Sequence, residues 1–323
     1  MFTGTMHAVS TRYAKLAWGT LGFNVLVILW GGFVRATGSG AGCGNHWPLC
    51  NGEVVPRAPA VATIIEFSHR LTSGVAIVLI AALVIGAWRK FPPGHPVRRG
   101  AVLSALFMVS EALIGAGLVL LRLVADNPSL SRGVWVAGHL VNTFLLVASL
   151  TLTAWWASGG GDVRLRAPGA SRTLLAIALS GVLLLGISGA VTALGDTLFP
   201  ASTLAEAEAQ TFSATAHLFV RLRVYHPALA IAVGLGVLFT IVSVTTTRRD
   251  APTRRLGSAV IALYATQCAI GMINIWLLAP VGIQILHLFA SDLLWIALIL
   301  FAASALAQPV LIATPESPLT AHD

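Results

Sequence analysis

Stretches of about twenty apolar residues recur eight times along the chain, at roughly 16–36, 66–88, 100–122, 133–156, 173–194, 218–244, 257–279 and 283–307, with short polar connections between them. A helix of that length crosses the hydrocarbon core of a bilayer. Backbone groups in lipid must be satisfied within each segment, so the pattern predicts helices. The expected fold is an all-α integral membrane bundle of eight spans.

Composition agrees with the pattern. The chain has 323 residues, 56% of them hydrophobic and 10% charged, with a mean hydropathy of +0.84. A net charge of +8 would suit a nucleic-acid partner, but its distribution argues against one. Thirteen of the twenty Lys and Arg residues fall in alternate connections: Arg12 and Lys15; Arg89, Lys90, Arg98 and Arg99; Arg164, Arg166 and Arg172; Arg248, Arg249, Arg254 and Arg255. The positive-inside rule makes that side cytoplasmic. Both termini are then expected inside a plasma-membrane protein. The first segment reads as a span and not a cleaved signal, being too long and lacking a small-residue cleavage site beyond it. The proline-bearing stretch after Ala307 reads as a short disordered tail.

The spans repeat. Glu66-Phe67-Ser68-His69 and Arg223-Val224-Tyr225-His226 open the second and sixth segments, 157 residues apart. Gly32-Phe33-Val34-Arg35-Ala36 resembles Gly189-Ala190-Val191-Thr192-Ala193 at the same offset. Glu111-Ala112-Leu113-Ile114-Gly115 resembles Gln267-Cys268-Ala269-Ile270-Gly271 at 156, and His139-Leu140 resembles His287-Leu288 at 148. The expectation is two four-helix bundles of like orientation, 1–156 and 157–323, related by an axis along the membrane normal.

Each half then carries two histidines near the outer ends of its second and fourth spans: His69 with His139, and His226 with His287. An intramembrane histidine is costly without a partner. A lone one is more often a packing residue, but four at matching places suit two bis-histidine haem sites built from facing helices. Haem propionates need cations near the headgroups. Arg70 and Arg223, each close to a histidine, are the expected partners, with Arg221 nearby, whereas Arg35 and Arg122 fit interfacial snorkelling.

The halves differ where Glu66 stands one turn before His69 and Arg223 takes the matching place. A carboxylate there can act as general acid or base, or stabilise positive charge; arginine cannot take a proton. Glu66 could instead simply favour the start of its helix. Glu111 could relay protons or pair with an arginine. Asn142, Gln267, Asn274 and Asp292 read as interhelical hydrogen-bonding residues. His217 reads as a solvated loop residue with an auxiliary role in reserve, His46 as a cover for the first site, and His7 and His95 carry no assignment. Cys43 and Cys50 share the first outer loop, where a disulfide is expected; zinc, with His46 as a third ligand, competes. Cys268 reads as a small membrane hydrophobe.

The run TGSGAGCGNHWPLCNG followed by EFSHR, with GHLVNT, YHP and ILHL in later spans, resembles the haem A synthase family over about residues 15–307. The resemblance implies oxidation of the C8 methyl of haem O to the formyl of haem A by successive hydroxylations, with a gem-diol losing water. It implies that His226 and His287 ligate a b-type cofactor haem (heme b), that His69 and His139 hold substrate haem O, that Glu66 is the catalytic carboxylate and that Cys43 and Cys50 are the outer-loop pair. Partners implied are haem O synthase, an electron donor and the lipid bilayer; a homo-oligomer is left open. Some bacterial members carry a second cysteine pair in the third outer loop, and here 195–217 has none. The competing reading is a dihaem cytochrome b electron carrier, which needs no carboxylate beside one histidine. A transporter built from parallel repeats would place polar residues at the midplane of broken helices, which this pattern lacks.

Overall fold

A computed structural model describes residues 11–163 and 169–307. Arg164, Arg166, His7 and the stretch after Ala307 lie outside the described residues. Among those described, eight helices are long and apolar enough to cross a membrane: α1 (Thr11–Ala36), α2 (Val61–Lys90), α3 (Pro96–Leu120), α4 (Leu130–Ala157), α5 (Ala170–Leu198), α8 (Tyr225–Thr247), α9 (Ala251–Trp276) and α10 (Val281–Leu306). Two short helices, α6 (Leu204–Phe212) and α7 (Leu218–Arg221), lie between α5 and α8. A 3-10 turn carries α7 directly into α8, so the sixth span runs from Leu218 to Thr247. The chain is an all-α, multi-pass membrane protein.

Most helices begin before the apolar stretch that predicted them, and in α3, α4 and α9 the early turn is polar and set by a side-chain cap. Ser129 caps α4 through the N–H of Arg132, and Asp250 caps α9 through Thr253. His95, unassigned from sequence, caps α3 through Val97. Such caps satisfy N–H groups that the helix itself leaves unpaired.

α1, α4, α5 and α10 make the centre. α4 packs on α1, α3, α5 and α10, while α9 packs on α10 and α8 alone among its stronger neighbours. Half of the most apolar window of α10 is buried inside the protein, against 11% for α9, so α9 is a lipid-facing helix. At the centre Phe144 of α4 stacks on Trp295 of α10 with ring centroids 5.0 Å apart, and Trp295 Nε1 donates to the Phe144 carbonyl at 2.7 Å. An indole N–H away from water finds such a partner. Just outside this contact, Leu288 packs on Gly32 of α1 and Leu140 packs on Gly186 of α5. Each of these leucines follows one of the four histidines.

The connection from α5 to α8 is ordered without a cysteine pair. Thr203 caps α6 through the N–H of Glu206, and the Glu206 carboxylate accepts from the Ser202 N–H, one residue before the cap. His217 caps α7 and packs on Phe199 and Phe219, with centroids 4.9 and 4.7 Å away. That corrects the solvated-loop reading of His217.

Candidate functional site

The four histidines lie at similar depth. They stand eight, nine, eight and six residues after the first residue of their spans, which is roughly 9–14 Å along each axis at about 1.5 Å per residue. On that depth three of them press on a glycine. A Cβ at Gly31 would lie 2.9 Å from His69 Cε1, one at Gly189 would lie 3.0 Å from His226 Cε1, and one at Gly271 would lie 3.2 Å from His287 Cε1. Bulk at those places would push the rings aside. In α1 the glycine against the ring is Gly31, one residue before the Gly32 that aligns with Gly189 in sequence.

His226 and His287 face each other across the N-terminal parts of α8 and α10. Their ring centroids are 6.5 Å apart and their planes are nearly perpendicular, at 82°. An imidazole nitrogen binds a first-row metal at about 2 Å, so two rings sharing one axial metal have centres about 6 Å apart. The pair therefore fits a haem iron between its rings. Ser188 of α5 meets His226 Nδ1 at 2.8 Å, which leaves Nε2 for a metal, the usual second-shell arrangement. The Gln267 amide lies 3.2 Å from His287 Nε2.

In the first half Glu111 of α3 lies 3.1 Å from His139 Nδ1. Asn142 donates to its other oxygen at 2.6 Å, and Thr143 also donates to the carboxylate. Glu111 pairs with a histidine here and not with an arginine. Asn142 also donates to the Phe107 carbonyl on α3, as an interhelical residue should.

Glu66 is buried, with 3% exposure. It stands in the second turn of α2, which begins five residues earlier at Val61, so it does not cap the helix start. One oxygen accepts the Cys43 backbone N–H at 2.8 Å; the other accepts the Arg70 guanidinium, with Arg70 Nε at 3.1 Å. Arg70 also donates to the carbonyls of His46 and Leu49 at 2.7 and 2.8 Å. Arg70 is thus held between Glu66 and the connection from α1 to α2. The same loop is held by Thr63, whose hydroxyl donates to the Gly42 carbonyl at 2.7 Å. Cys43 and Cys50 form a disulfide, which overturns the zinc reading; among the described residues no group of three His, Cys, Asp or Glu could hold a metal ion.

Arg223 is likewise engaged within the protein. Its Nε lies 2.8 Å from Asp196 Oδ1, and its Nη2 donates to the carbonyls of Gly195 and Phe199. Asp196 escaped sequence reasoning, because a lone acid at a helix end looks like a solvated cap. Arg35 does not snorkel. It donates to the Ala193 carbonyl at 2.8 Å, to Thr197 Oγ1 at 2.7 Å and to Gln284 Oε1 at 2.9 Å, tying α1 to α5 and α10. Two expected hydrogen-bonding residues lack partners in whole or part: both Asp292 oxygens and Asn274 Oδ1 are buried without one.

Residues 14–299 match the family model of the cytochrome oxidase assembly proteins, COX15-CtaA. The chain belongs to this family. Among curated relatives, this COX15-CtaA member is 53% identical over 296 residues to proteins named "Protoheme IX farnesyltransferase" from two Thermus thermophilus strains. The match takes in 92% of this chain and 49% of theirs, so the chain spans about half the length of those relatives. It is also 48% identical over 95 residues to "Heme A synthase" of Bacillus cereus, 29% of this chain and 30% of that one. The haem A synthase resemblance of the motifs is therefore upheld at the level of the family.

Proposed function

We propose that this protein is a haem A synthase, oxidising the C8 methyl of haem O to a formyl group. The observation that carries the reading is the difference between two otherwise similar histidine pairs: a buried carboxylate, Glu66, stands one helical turn from His69, whereas Arg223 occupies that place beside His226. The family match over residues 14–299 supports it.

His69 and His139 hold substrate haem O, and His226 and His287 hold a b-type haem. When bound, that haem supplies one-electron redox chemistry. The protein's own part is orientation and charge. Ser188 and Glu111 turn the Nδ1 edges of His226 and His139 toward themselves and leave the other nitrogens for iron. Glu66 is fixed by Arg70 and the Cys43 N–H beside His69, where its negative charge stabilises positive charge developing on the substrate methyl carbon. The disulfide-closed loop holds Arg70 through two carbonyls and shields that carboxylate from water. Arg223 holds the outer end of α5 through Asp196, Gly195 and Phe199.

The protein works in the plasma membrane with the basic connections, and the free ends of α1 and α10, on the cytoplasmic side. Its substrate comes from an enzyme that farnesylates protohaem; the name and double length of the Thermus relatives support a close association between the two. An electron donor completes the set of partners. Expression in a host that makes haem O, followed by mass analysis of extracted haems, tests the reading. Formyl-bearing haem supports it; unmodified haem O alone, from protein that retains its haem, refutes it.

A further inference from the structure

Glu111 and Gln267 stand at corresponding places in the two halves but meet different ring nitrogens with different chemistry. Each lies four residues before a glycine, Gly115 or Gly271, on α3 or α9. Each reaches the histidine of the next spanning helix: Glu111 Oε1 lies 3.1 Å from His139 Nδ1, and Gln267 Nε2 lies 3.2 Å from His287 Nε2. One contact is a carboxylate and the other a neutral amide. The carboxylate is held in place by Asn142 and Thr143, both within one turn of His139 on α4. In the second pair, the remaining contact is the Ser188 hydroxyl on His226. Among the described residues, the hydrogen-bond partners of His226 and His287 side chains are therefore uncharged.

We propose that Glu111 is a positioning residue that makes His139 a stronger donor to iron than either ligand of the second pair, so that the first site favours the ferric state. A carboxylate accepting from the Nδ1 N–H of an imidazole fixes its tautomer and raises the basicity of the opposite nitrogen. Charged acceptors form the stronger hydrogen bonds, so a hydroxyl or amide does this less. Axial donation and second-shell hydrogen bonding are two of the levers by which a protein sets a haem's potential. The inference deepens the haem reading above and rests on it: the half that holds the molecule to be oxidised is the half whose ligand set favours loss of an electron.

The test uses the full chain in detergent with iron protoporphyrin IX as the probe. His226→Ala leaves the first pair intact, and His69→Ala leaves the second. Spectroelectrochemical titration gives a midpoint potential for each. The expected result is a lower midpoint for the first pair than for the second with this one probe. Glu111→Gln in the first background raises that midpoint, and Ser188→Asp in the second background, which puts a carboxylate on the Nδ1 edge of His226, lowers its own. A Glu111→Gln midpoint that stays put while the six-coordinate low-spin spectrum persists overturns the proposal, as does a Ser188→Asp midpoint that fails to fall. Should Glu111→Gln lose the probe, the Ser188→Asp arm decides. Parent backgrounds that take up no probe overturn the haem reading itself, and this proposal with it.

Discussion

The backbone N–H of Cys43 donates to Glu66 Oε2 at 2.8 Å. A disulfide cysteine in the connection from α1 to α2 is thereby wired to the carboxylate that stands a helical turn from His69. The other oxygen of Glu66 is held by Arg70, which also grips the loop through His46 and Leu49. The loop and the carboxylate form one unit, so changing either disturbs the other.

Glu66→Gln keeps the size of the side chain and removes its charge. The variant is expected to retain the b-type haem while haem O or a hydroxylated product accumulates, with haem A formation down at least tenfold. Mass analysis of extracted haems reads both. Undiminished haem A output would remove Glu66 from the mechanism.

Opening the Cys43–Cys50 disulfide by Cys43→Ser with Cys50→Ser loosens the loop that presents the Cys43 N–H and the two carbonyls to Arg70. Turnover is expected to fall while haem bound by His226 and His287 is unaffected, because that pair draws nothing from the loop. Parallel loss at both pairs would show that the loop instead supports the whole bundle.

The glycines beside the histidines give a separable pair of variants. Gly31→Val crowds His69, where a Cβ already falls 2.9 Å from the ring, and Gly189→Val crowds His226 at 3.0 Å. Overpacking of this kind typically costs about 1–3 kcal/mol. Each variant is expected to weaken haem retention at its own pair only. Gly115→Val is the control, since a Cβ there meets nothing within 4 Å. Absorbance of the reconstituted protein distinguishes the three.

Arg35→Gln removes the charge that ties α1 to α5 and α10 through Ala193, Thr197 and Gln284. Hydrogen bonds to charged groups contribute about 1.5–3 kcal/mol each, with incomplete additivity. A fall in thermal stability in detergent is expected, larger than that of Arg122→Gln at an exposed turn. Equal effects would return Arg35 to a role at the interface with lipid headgroups.

The count and type of spanning helices were legible because lipid imposes a single rule on every apolar run. Helix starts were not, since Leu130 and Ala251 open polar first turns that hydropathy leaves out. The approach of His226 to His287 was legible through the matching surroundings of the histidines, and the two rings do face each other. The fate of the arginines was not: Arg35 and Arg70 look alike in sequence, and only the positions of Gln284, Thr197 and the loop carbonyls decide what each one binds. Asp196 was missed for the same reason, as its meaning comes from Arg223 on another element. Asp292 shows the limit from the other side, a polar residue in an apolar helix that finds no hydrogen-bond partner among the described residues.

Which histidines share a metal is the most direct test of the whole account. Each of the four is replaced singly by alanine in the full chain, which is then loaded with iron protoporphyrin IX and examined by low-temperature electron paramagnetic resonance. The account predicts two low-spin signals, one lost in both His69→Ala and His139→Ala, the other lost in both His226→Ala and His287→Ala. Signals that vanish in any other grouping, or that survive all four replacements, would contradict it.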